Sequence, residues 1–176
     1  MDFANYRLSY GAYTPVSTLL DSIPIVKIPN YAYKNNGNLT FEDVSKKWGL
    51  GISSFSNGAV FSDLDLDGDL DLYAANGHVQ MGIEETQDGI FYREPGHLFI
   101  NDGNGIFKDV VPLIGGPLAT PIVGRGAAYA DYDNNGTLDI LVTENNGPVH
   151  LIKNNNFNNY LRVKIKSINS NRDGVG

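Results

Sequence analysis

Two segments of this sequence return later in the same order, and this internal duplication constrains the fold more than any other feature. The repeated pairs are residues 33–44 with 99–110 and residues 58–73 with 126–141. Asn101 follows Asn35 by 66 positions, and Asp131 follows Asp63 by 68 positions. Because two separate segments keep one order at nearly one spacing, we predict that the chain is built from tandem copies of one structural unit.

Each copy of the unit has the pattern of short β-strands separated by turns. The chain holds 15 Asp against 5 Glu, with 20 Asn and 20 Gly, so it is rich in turn formers rather than helix formers. Residues 101–105, Asn-Asp-Gly-Asn-Gly, lie between apolar stretches and are a strong hairpin signal. The predicted strands cover residues 58–61, 71–75, 97–100, 106–110, 126–130, 139–143, 149–153 and 160–166. Four short strands in about 60 to 70 residues match a propeller blade, so we predict an all-β fold.

The length of the chain limits how much of a propeller it can hold. With offsets of 66 and 68 residues, the 176 residues contain fewer than three units, whereas propellers close with about four to eight blades. We therefore predict a partial β-propeller of about two to three four-stranded blades. The alternatives are a fragment of a longer protein, one part of an oligomer, or a different all-β arrangement.

The two ends of the chain differ from the repeated part. A short N-terminal helix is predicted over 16–23, because Thr14 and Pro15 suit the N-cap and first helical positions. The predicted organisation is an N-terminal segment over 1–28, propeller blades over 29–157 and a separate C-terminal segment over 158–176.

The composition argues against several classes of function. A net charge of −7 disfavours nucleic acid as a partner. The chain has no cysteine, which excludes disulfides and thiolate metal sites, and its three histidines argue against a His-rich zinc or iron site. No apolar run approaches the roughly 18 residues of a membrane span, and the first residues do not have the pattern of a secretory signal.

Eight of the 15 aspartates fall in two nine-residue windows, which we name the first acidic loop (residues 63–71) and the second acidic loop (residues 131–139). Both fit D-x-[DN]-x-[DN]-G-x-x-D. The first, third and fifth side chains can converge on one point if the backbone curls, and the glycine permits that turn. A carbonyl at the seventh position and a carboxylate at the ninth complete a set of hard oxygen ligands, which suits calcium better than magnesium.

Two calcium ions are predicted, one in each loop. The predicted ligands are Asp63, Asp65, Asp67, the Asp69 carbonyl and Asp71 in the first loop, and Asp131, Asp133, Asn135, the Thr137 carbonyl and Asp139 in the second. An EF-hand would need a glutamate at the twelfth position, where this chain has Ala74 and Val142, and the flanks are predicted strands rather than helices. The alternative is a solvated turn without metal, which the mutual repulsion of the carboxylates disfavours.

At these residues the sequence resembles a known family. Residues 58–72 resemble an FG-GAP repeat, also called a VCBS repeat, and residues 124–133 are similar to the last such repeat before an ASPIC/UnbV domain. Residues 159–163 and 170–176 resemble the opening of that domain. The chain thus resembles the cartilage acidic protein-like family over about residues 29–176. The resemblance implies an integrin-like β-propeller with calcium in its hairpin loops, and it makes residues 158–176 the start of an ASPIC/UnbV-like domain.

The leading functional interpretation is a calcium-binding, non-catalytic segment of an extracellular, cell-surface or periplasmic adhesion or ligand-binding protein. Its expected partner is a protein or a glycan, and the chain is expected to associate with the rest of a propeller or with further copies of itself. One alternative is a calcium-dependent polysaccharide lyase or hydrolase, and another is a purely structural role for calcium. The insertion over 76–96 is either a functional loop or an ordinary surface loop, and His78 and His97 at its ends either meet or serve structural roles.

Overall fold

The duplicated units fold as three antiparallel sheets with few helical residues. The computed structural model describes residues 28–156, together with residues 15, 18, 159–161, 163 and 166. The predicted helix over 16–23, the predicted strand over 160–166 and the predicted C-terminal segment lie, apart from isolated positions, outside the described residues. The predicted all-β fold class is confirmed.

The strands are β1 (Tyr33–Asn35), β2 (Phe41–Asp43), β3 (Ser56–Ser62), β4 (Asp71–Asn76), β5 (His97–Asn101), β6 (Phe107–Asp109), β7 (Gly124–Ala130), β8 (Asp139–Glu144) and β9 (Val149–Ile152). One α-helical turn, α1, covers Val111–Ile114, and 3₁₀ turns cover Ile83–Glu85 and Gly116–Ala119. The first sheet pairs β1 with β2, the second has the order β3-β4-β5-β6, and the third has the order β7-β8-β9. The strands predicted between residues 58 and 153 each correspond to one of these elements.

The duplication in sequence is a duplication in structure. β3 and β4 correspond to β7 and β8, and β1 and β2 correspond to β5 and β6. In both long hairpins the pairing register shifts once near the start, between Ser56 and Gly58 and between Gly124 and Gly126. The second sheet is a complete four-stranded blade, whereas the described residues supply two strands of the first sheet and three of the third. The described sheets form part of a β-propeller-like fold and do not close a barrel.

Two glycines, one in β3 and one in β7, allow the backbones of the second and third sheets to approach closely. A Cβ atom on Gly58 would lie 2.8 Å from the carbonyl oxygen of Arg125, and one on Gly124 would lie 2.9 Å from the carbonyl oxygen of Asn76. Any side chain at these positions would collide with backbone that has little freedom to move. Gly58 in β3 and Gly124 at the start of β7 therefore let the second and third sheets lie close together.

Apolar side chains fill the spaces between successive sheets. The larger cluster, drawn from the second and third sheets and their connection, consists of Leu64, Tyr73, Ala75, Leu98, Val111, Ile122, Ile140 and Val142. A smaller cluster of Leu50, Phe99 and Phe107 joins the first sheet to the second, with the Trp48 ring centroid 6.3 Å from that of Phe107. Because successive strand residues face opposite sides, one blade contributes to both clusters.

In the described part of the chain, no helix has the length and apolarity needed to cross a bilayer.

Candidate metal centres

Each acidic loop connects the first two strands of its sheet at the same place. Asp63 directly follows β3, and Asp71 is the first residue of β4. In the same way Asp131 directly follows β7, and Asp139 is the first residue of β8. The strand pairing therefore holds the two ends of each loop side by side, which brings its first and ninth residues together.

The backbone of each loop curls around its first aspartate. In the first loop, Asp63 accepts hydrogen bonds from the backbone N–H groups of Asp67 and Gly68, both at 3.1 Å. The N–H groups at the same two positions of the second loop donate to Asp131 at 2.9 and 3.1 Å. The aspartate at the third position, Asp65 or Asp133, also accepts a hydrogen bond from the backbone N–H of the fifth residue, at 3.3 Å in the first loop and 3.2 Å in the second. These bonds give both loops one backbone shape.

That shape needs two residues in the left-handed region of backbone space. The fourth residue has a φ of 64° at Leu66 and 60° at Asn134, and the sixth has a φ of 97° at Gly68 and 91° at Gly136. Glycine adopts such angles without a steric penalty, asparagine tolerates them, and leucine does not favour them. The glycine predicted from the motif to allow a sharp turn is therefore joined by a second turning point that the motif does not specify.

The curl brings three carboxylates together in each loop. The two groups are Asp63, Asp65 and Asp71 in the first loop, and Asp131, Asp133 and Asp139 in the second. Within each group, one carboxylate oxygen from each residue lies within 4.8 Å of the others. Converging carboxylate oxygens are hard, anionic donors, and the donor set fits a calcium ion.

The other predicted ligands lie in the same loops but outside these groups of three. Asp67 at the fifth position turns its carboxylate toward the backbone N–H of Asp69, at 2.9 Å. Asn135 at the corresponding position accepts hydrogen bonds from the N–H and hydroxyl of Thr137, at 2.8 and 2.6 Å. The side chain at the fifth position thus bonds the seventh residue in both loops. The ligand roles of these four residues, like those of the six clustered aspartates, stay predictions.

The aspartate at the ninth position of each loop is buried and accepts structural hydrogen bonds, in addition to being a candidate ligand. Asp71 is 0% exposed and Asp139 is 1% exposed. Asp71 accepts the backbone N–H of Leu64 at 2.8 Å and that of Asn101, on the third strand of the sheet, at 2.9 Å. The corresponding donors to Asp139 are Tyr132 at 3.2 Å and Asn154 at 2.9 Å. Each of these aspartates therefore ties its loop to two neighbouring strands.

Crowding of negative charge distinguishes the first loop. Burial raises the pKa of Asp65, and the nearby carboxylates of Asp71 and Asp67 raise it further. Burial also raises the pKa of Asp71, although hydrogen bonds from backbone N–H groups oppose the increase. Without a cation, ionisation of Asp65 and Asp71 is less favourable than for free aspartates, so a bound cation would relieve a repulsion built into the loop.

A lysine from outside the motif neutralises part of the second loop. Lys153 follows β9, and its Nζ lies 2.5 Å from Oδ2 of Asp133. The hydrogen bond from Lys153 holds the pKa of Asp133 below its ordinary value. Tyr160 also lies at this loop, and its hydroxyl donates to the carbonyl oxygen of Asn134 at 3.3 Å. The second loop therefore has a counter-charge beside it before any metal binds.

Sequence reasoning identified the loops but missed residues that hold them from the third strand. Asn101 and Asn154 occupy equivalent places, because Phe99 pairs with Leu72 as Ile152 pairs with Ile140. Asn154 follows Asn101 by 53 positions, whereas the two loops are 68 positions apart, because the insertion over 76–96 lengthens the first unit. An alignment without a gap could therefore not match these two asparagines.

The insertion over 76–96 packs onto the neighbouring sheet. Ile83 and Ile90 are buried, and the guanidinium of Arg93 forms an ion pair with Glu144 at the end of β8. The N–H group of Glu94 and the carbonyl oxygen of Ile122 form a hydrogen bond of 3.0 Å. The insertion thus links the second sheet to the third, and a functional role for it stays a prediction.

The two histidines at the ends of the insertion have different partners. The His78 ring lies edge-on to Phe55, with ring centroids 4.5 Å apart. Nδ1 of His97 lies 2.7 Å from Oδ2 of Asp109 on the adjacent strand. These contacts fit the structural interpretation of both residues.

Comparison with known proteins agrees with the repeated architecture. Residues 89–142 match the family model described as the FG-GAP-like repeat, a region that contains the second acidic loop. The chain is also 30% identical to cartilage acidic protein 1 of Mus musculus over 133 residues, which cover 72% of this chain and 20% of that protein. The chain therefore spans about a fifth of the length of the curated relative it matches. With its duplicated hairpins and propeller-like sheets, the chain is an FG-GAP repeat protein.

Proposed function

We propose that this chain is a calcium-binding, non-catalytic propeller module of an extracellular or cell-surface protein that binds a protein or glycan partner. The observation that carries the proposal is the equivalence of the two acidic loops. Each brings three carboxylates together at the same three positions of a repeated hairpin. An acidic turn that served only solubility would have no need to repeat this arrangement with its oxygens converging.

In this proposal the residues that hold the ion are the three clustered aspartates of each loop. The fifth side chains, Asp67 and Asn135, and the carbonyl groups of Asp69 and Thr137 would add to the shell as the motif predicts. Bound calcium would supply positive charge that offsets the repulsion among the aspartates and would order the hairpin. Bound calcium would thus stabilise the blades, a role that disulfides cannot fill in a chain without cysteine.

An extracellular location is supported by the relation between affinity and calcium supply. Calcium sites of extracellular modules work at about 0.1 to 1 mM, so solvent-facing loops with few protein ligands are useful there. The tips of both loops are solvent-facing, since Asp67 and Gly68 of the first loop and Asp133 and Asn135 of the second are exposed. The match to FG-GAP repeats also supports a binding module rather than an enzyme.

The terminal sheets support association with further blades. Tyr33 corresponds to Phe99 in the repeat, yet Tyr33 is 57% exposed and Phe99 only 1%. At the other end, Leu141 corresponds to Tyr73, with exposures of 39% and 1%. Since the inner copies of these positions are covered by a neighbouring sheet, we propose that further propeller blades cover the outer ones.

One observation favours the alternative of a calcium-dependent polysaccharide lyase, namely the amino group of Lys153 beside the second loop. A lyase needs a base near a metal-neutralised uronate. However, the hydrogen bond to Asp133 raises the pKa of Lys153, which keeps the amino group protonated and unsuited to accept a proton. A lyase assay on polyuronates alongside a glycan-array screen separates the two functions, and turnover in that assay would refute the non-catalytic proposal.

Calorimetric titration of the metal-free protein tests the calcium sites. We expect two binding events at or below about 1 mM calcium. Asp65→Ala should remove one event and Asp133→Ala the other, whereas magnesium at the same concentration should bind more weakly. Absence of heat and of ion uptake at millimolar calcium would refute the proposal.

A further inference from the structure

The segment over 153–156, which follows β9, contacts both acidic loops. Lys153 contacts Asp133 of the second loop, and the side chain of Asn156 donates to the carbonyl oxygen of Asp65 in the first loop at 2.9 Å. Between them, Asn154 bonds to both loops. These contacts link hairpins that belong to different sheets and lie about 70 residues apart in sequence.

Asn154 is tied to the second loop through three of its groups. Its backbone N–H donates to Asp139 at 2.9 Å, and its carbonyl oxygen accepts the hydroxyl of Thr137 at 3.0 Å. Its side-chain Nδ2 lies 3.3 Å from the carbonyl oxygen of Leu138. Asn154 therefore moves with the ninth residue of the second loop.

The same Nδ2 group reaches the first loop, where it donates to the carbonyl oxygen of Leu64 at 2.6 Å. Leu64 is buried, and its own N–H donates to Asp71 at 2.8 Å. Asp71 belongs to the first group of converging carboxylates. A continuous path of hydrogen bonds thus runs from Asp139 through Asn154 and Leu64 to Asp71.

The equivalent residue in the second sheet, Asn101, makes no such bond to another sheet within the described residues. Asn101 donates its backbone N–H to Asp71 and its side chain to the carbonyl oxygen of Leu70, at 2.9 and 3.3 Å, and both acceptors lie in its own sheet or in the acidic loop of that sheet. The bond of Asn154 to Leu138 is the counterpart of the bond to Leu70. In the described part of the chain, the bond to Leu64 has no counterpart at Asn101.

We infer that Asn154 couples the two loops, so that calcium bound in one loop raises the affinity of the other. The inference rests on the proposed function and adds its regulation. A cation in the second loop orders Asp139 and thereby fixes Asn154. Asn154 in turn holds Leu64 and Asp71 in the geometry that a cation in the first loop needs. The ion that binds later therefore enters a loop that is already ordered, which is positive cooperativity carried by a shared hydrogen-bond path.

A double-mutant cycle with a separate reporter for each loop tests the coupling. The amide resonances of Gly68 and Gly136 follow calcium binding at the first and second loop during one NMR titration. Asp131→Ala disables the second loop while leaving the contact between Lys153 and Asp133 in place. In the parent chain this variant should weaken first-loop binding about fivefold, the worth of one hydrogen bond. In the Asn154→Ala background the same variant should leave first-loop binding unchanged.

Three further variants keep the result interpretable. Asn154→Asp retains the size of the side chain but replaces the amino group that donates to Leu64 and Leu138 by a charged acceptor, so it should also abolish the coupling if Asn154→Ala does not fold. Asn155→Ala alters the next residue, whose side chain makes no hydrogen bond to the described part of the chain, and should keep the coupling. Asn101→Ala should weaken the first loop without changing the coupling.

The outcomes separate the two proposals. If both reporters respond to calcium but Asp131→Ala leaves first-loop binding unchanged in the parent chain, the coupling is refuted and the proposed function stands. If the coupling persists in Asn154→Asp, Asn154 is not its carrier and the inference is likewise refuted. If neither reporter responds at millimolar calcium, the proposed function fails and the coupling with it.

Discussion

The two acidic loops have one backbone and two different electrostatic surroundings. Hydrogen bonds to the first aspartate, left-handed angles at the fourth and sixth positions and a buried ninth aspartate recur with small differences in distance. The first loop holds five aspartates, whereas the second holds three, with Asn135 and Thr137 at the fifth and seventh positions. Backbone geometry therefore survives changes of charge, because its donors and acceptors lie at positions that both loops share.

The loops also differ in what the next strand brings beside them. Lys153 pairs with Asp133 at the second loop, and the equivalent residue at the first loop is Ile100. Tyr160 lies so close to the second loop that a Cβ on Gly136 would be 2.1 Å from its ring, whereas a Cβ on Gly68 would meet nothing. The first loop is thus strongly anionic, and the second is partly neutralised. The following predictions test how far these differences change binding and stability.

The largest loss in free energy of unfolding is expected on substitution of the buried aspartate at the ninth position, where the two loops are alike. Asp71→Ala leaves the N–H groups of Leu64 and Asn101 without their acceptor. An unsatisfied buried donor costs about 1 to 3 kcal/mol, so the loss in free energy of unfolding should be about 3 kcal/mol. Because the effect does not involve calcium, urea unfolding in the presence of a chelator measures it directly.

Asp139→Ala should cost the same amount, since its two donors have equivalent positions. Asp67→Ala is the control, because Asp67 is exposed at the tip of the loop and bonds one exposed N–H group. If Asp71→Ala unfolds at the same urea concentration as Asp67→Ala without calcium, the ninth aspartate is only a ligand and has no structural role.

Removal of calcium from a single loop should have the next largest effect, and its size should differ between the loops. A site filled at 100 times its dissociation constant contributes about 2.7 kcal/mol, which for a chain of this size shifts the melting temperature by about 5 to 10 °C. Thermal melts with calcium and with chelator should therefore differ by that amount for each filled loop. Asp65→Ala should remove more of the shift than Asp133→Ala, because the first loop has the higher negative charge. Identical melts for the parent chain would mean that both loops are plain turns.

The sequence predicted the parts of this molecule whose signals are local. The repeated apolar segments and the Asn-Asp-Gly-Asn-Gly turn located the strands between residues 58 and 153 to within about two residues, and the spacing of the aspartates located both loops. The neighbours of the loops were not predictable in this way. Asn154 contacts Leu64 across 90 positions, and Lys153 contacts Asp133 from the segment after β9, which the motif does not include. Such contacts depend on how one sheet sits against the next, which no periodicity within a segment specifies.

The two loops should also differ in their affinity for calcium. We expect the first loop to bind about tenfold more tightly, a difference of about 1.4 kcal/mol. Asn135→Asp should narrow the gap by adding a carboxylate to the second loop, and Asp67→Asn should abolish or reverse it. Lys153→Gln should also strengthen the second loop several-fold, because it removes a cation that competes for Asp133.

Site-resolved titration of these three variants beside the parent chain separates the two causes of the gap. If only Lys153→Gln narrows the gap, the counter-charge sets the ranking and the number of carboxylates does not. If Asn135→Asp weakens the second loop, repulsion in the empty loop outweighs attraction to the ion, and the ranking by charge is wrong.

The smallest effect concerns the fourth position, where the loops differ in backbone strain rather than in charge. Leu66 and Asn134 have nearly the same left-handed angles, φ 64° and φ 60°. A left-handed conformation costs an ordinary residue about 1 kcal/mol, and asparagine less, because its short side chain is tolerated there. Asn134→Leu should therefore lower the free energy of unfolding by up to about 1 kcal/mol, and Leu66→Asn should raise it by somewhat less, since Leu66 is half-buried and loses some apolar contact. Chemical denaturation of both variants in chelator measures the pair, and changes of the same sign would show that side-chain packing, not backbone strain, decides the residue at this position.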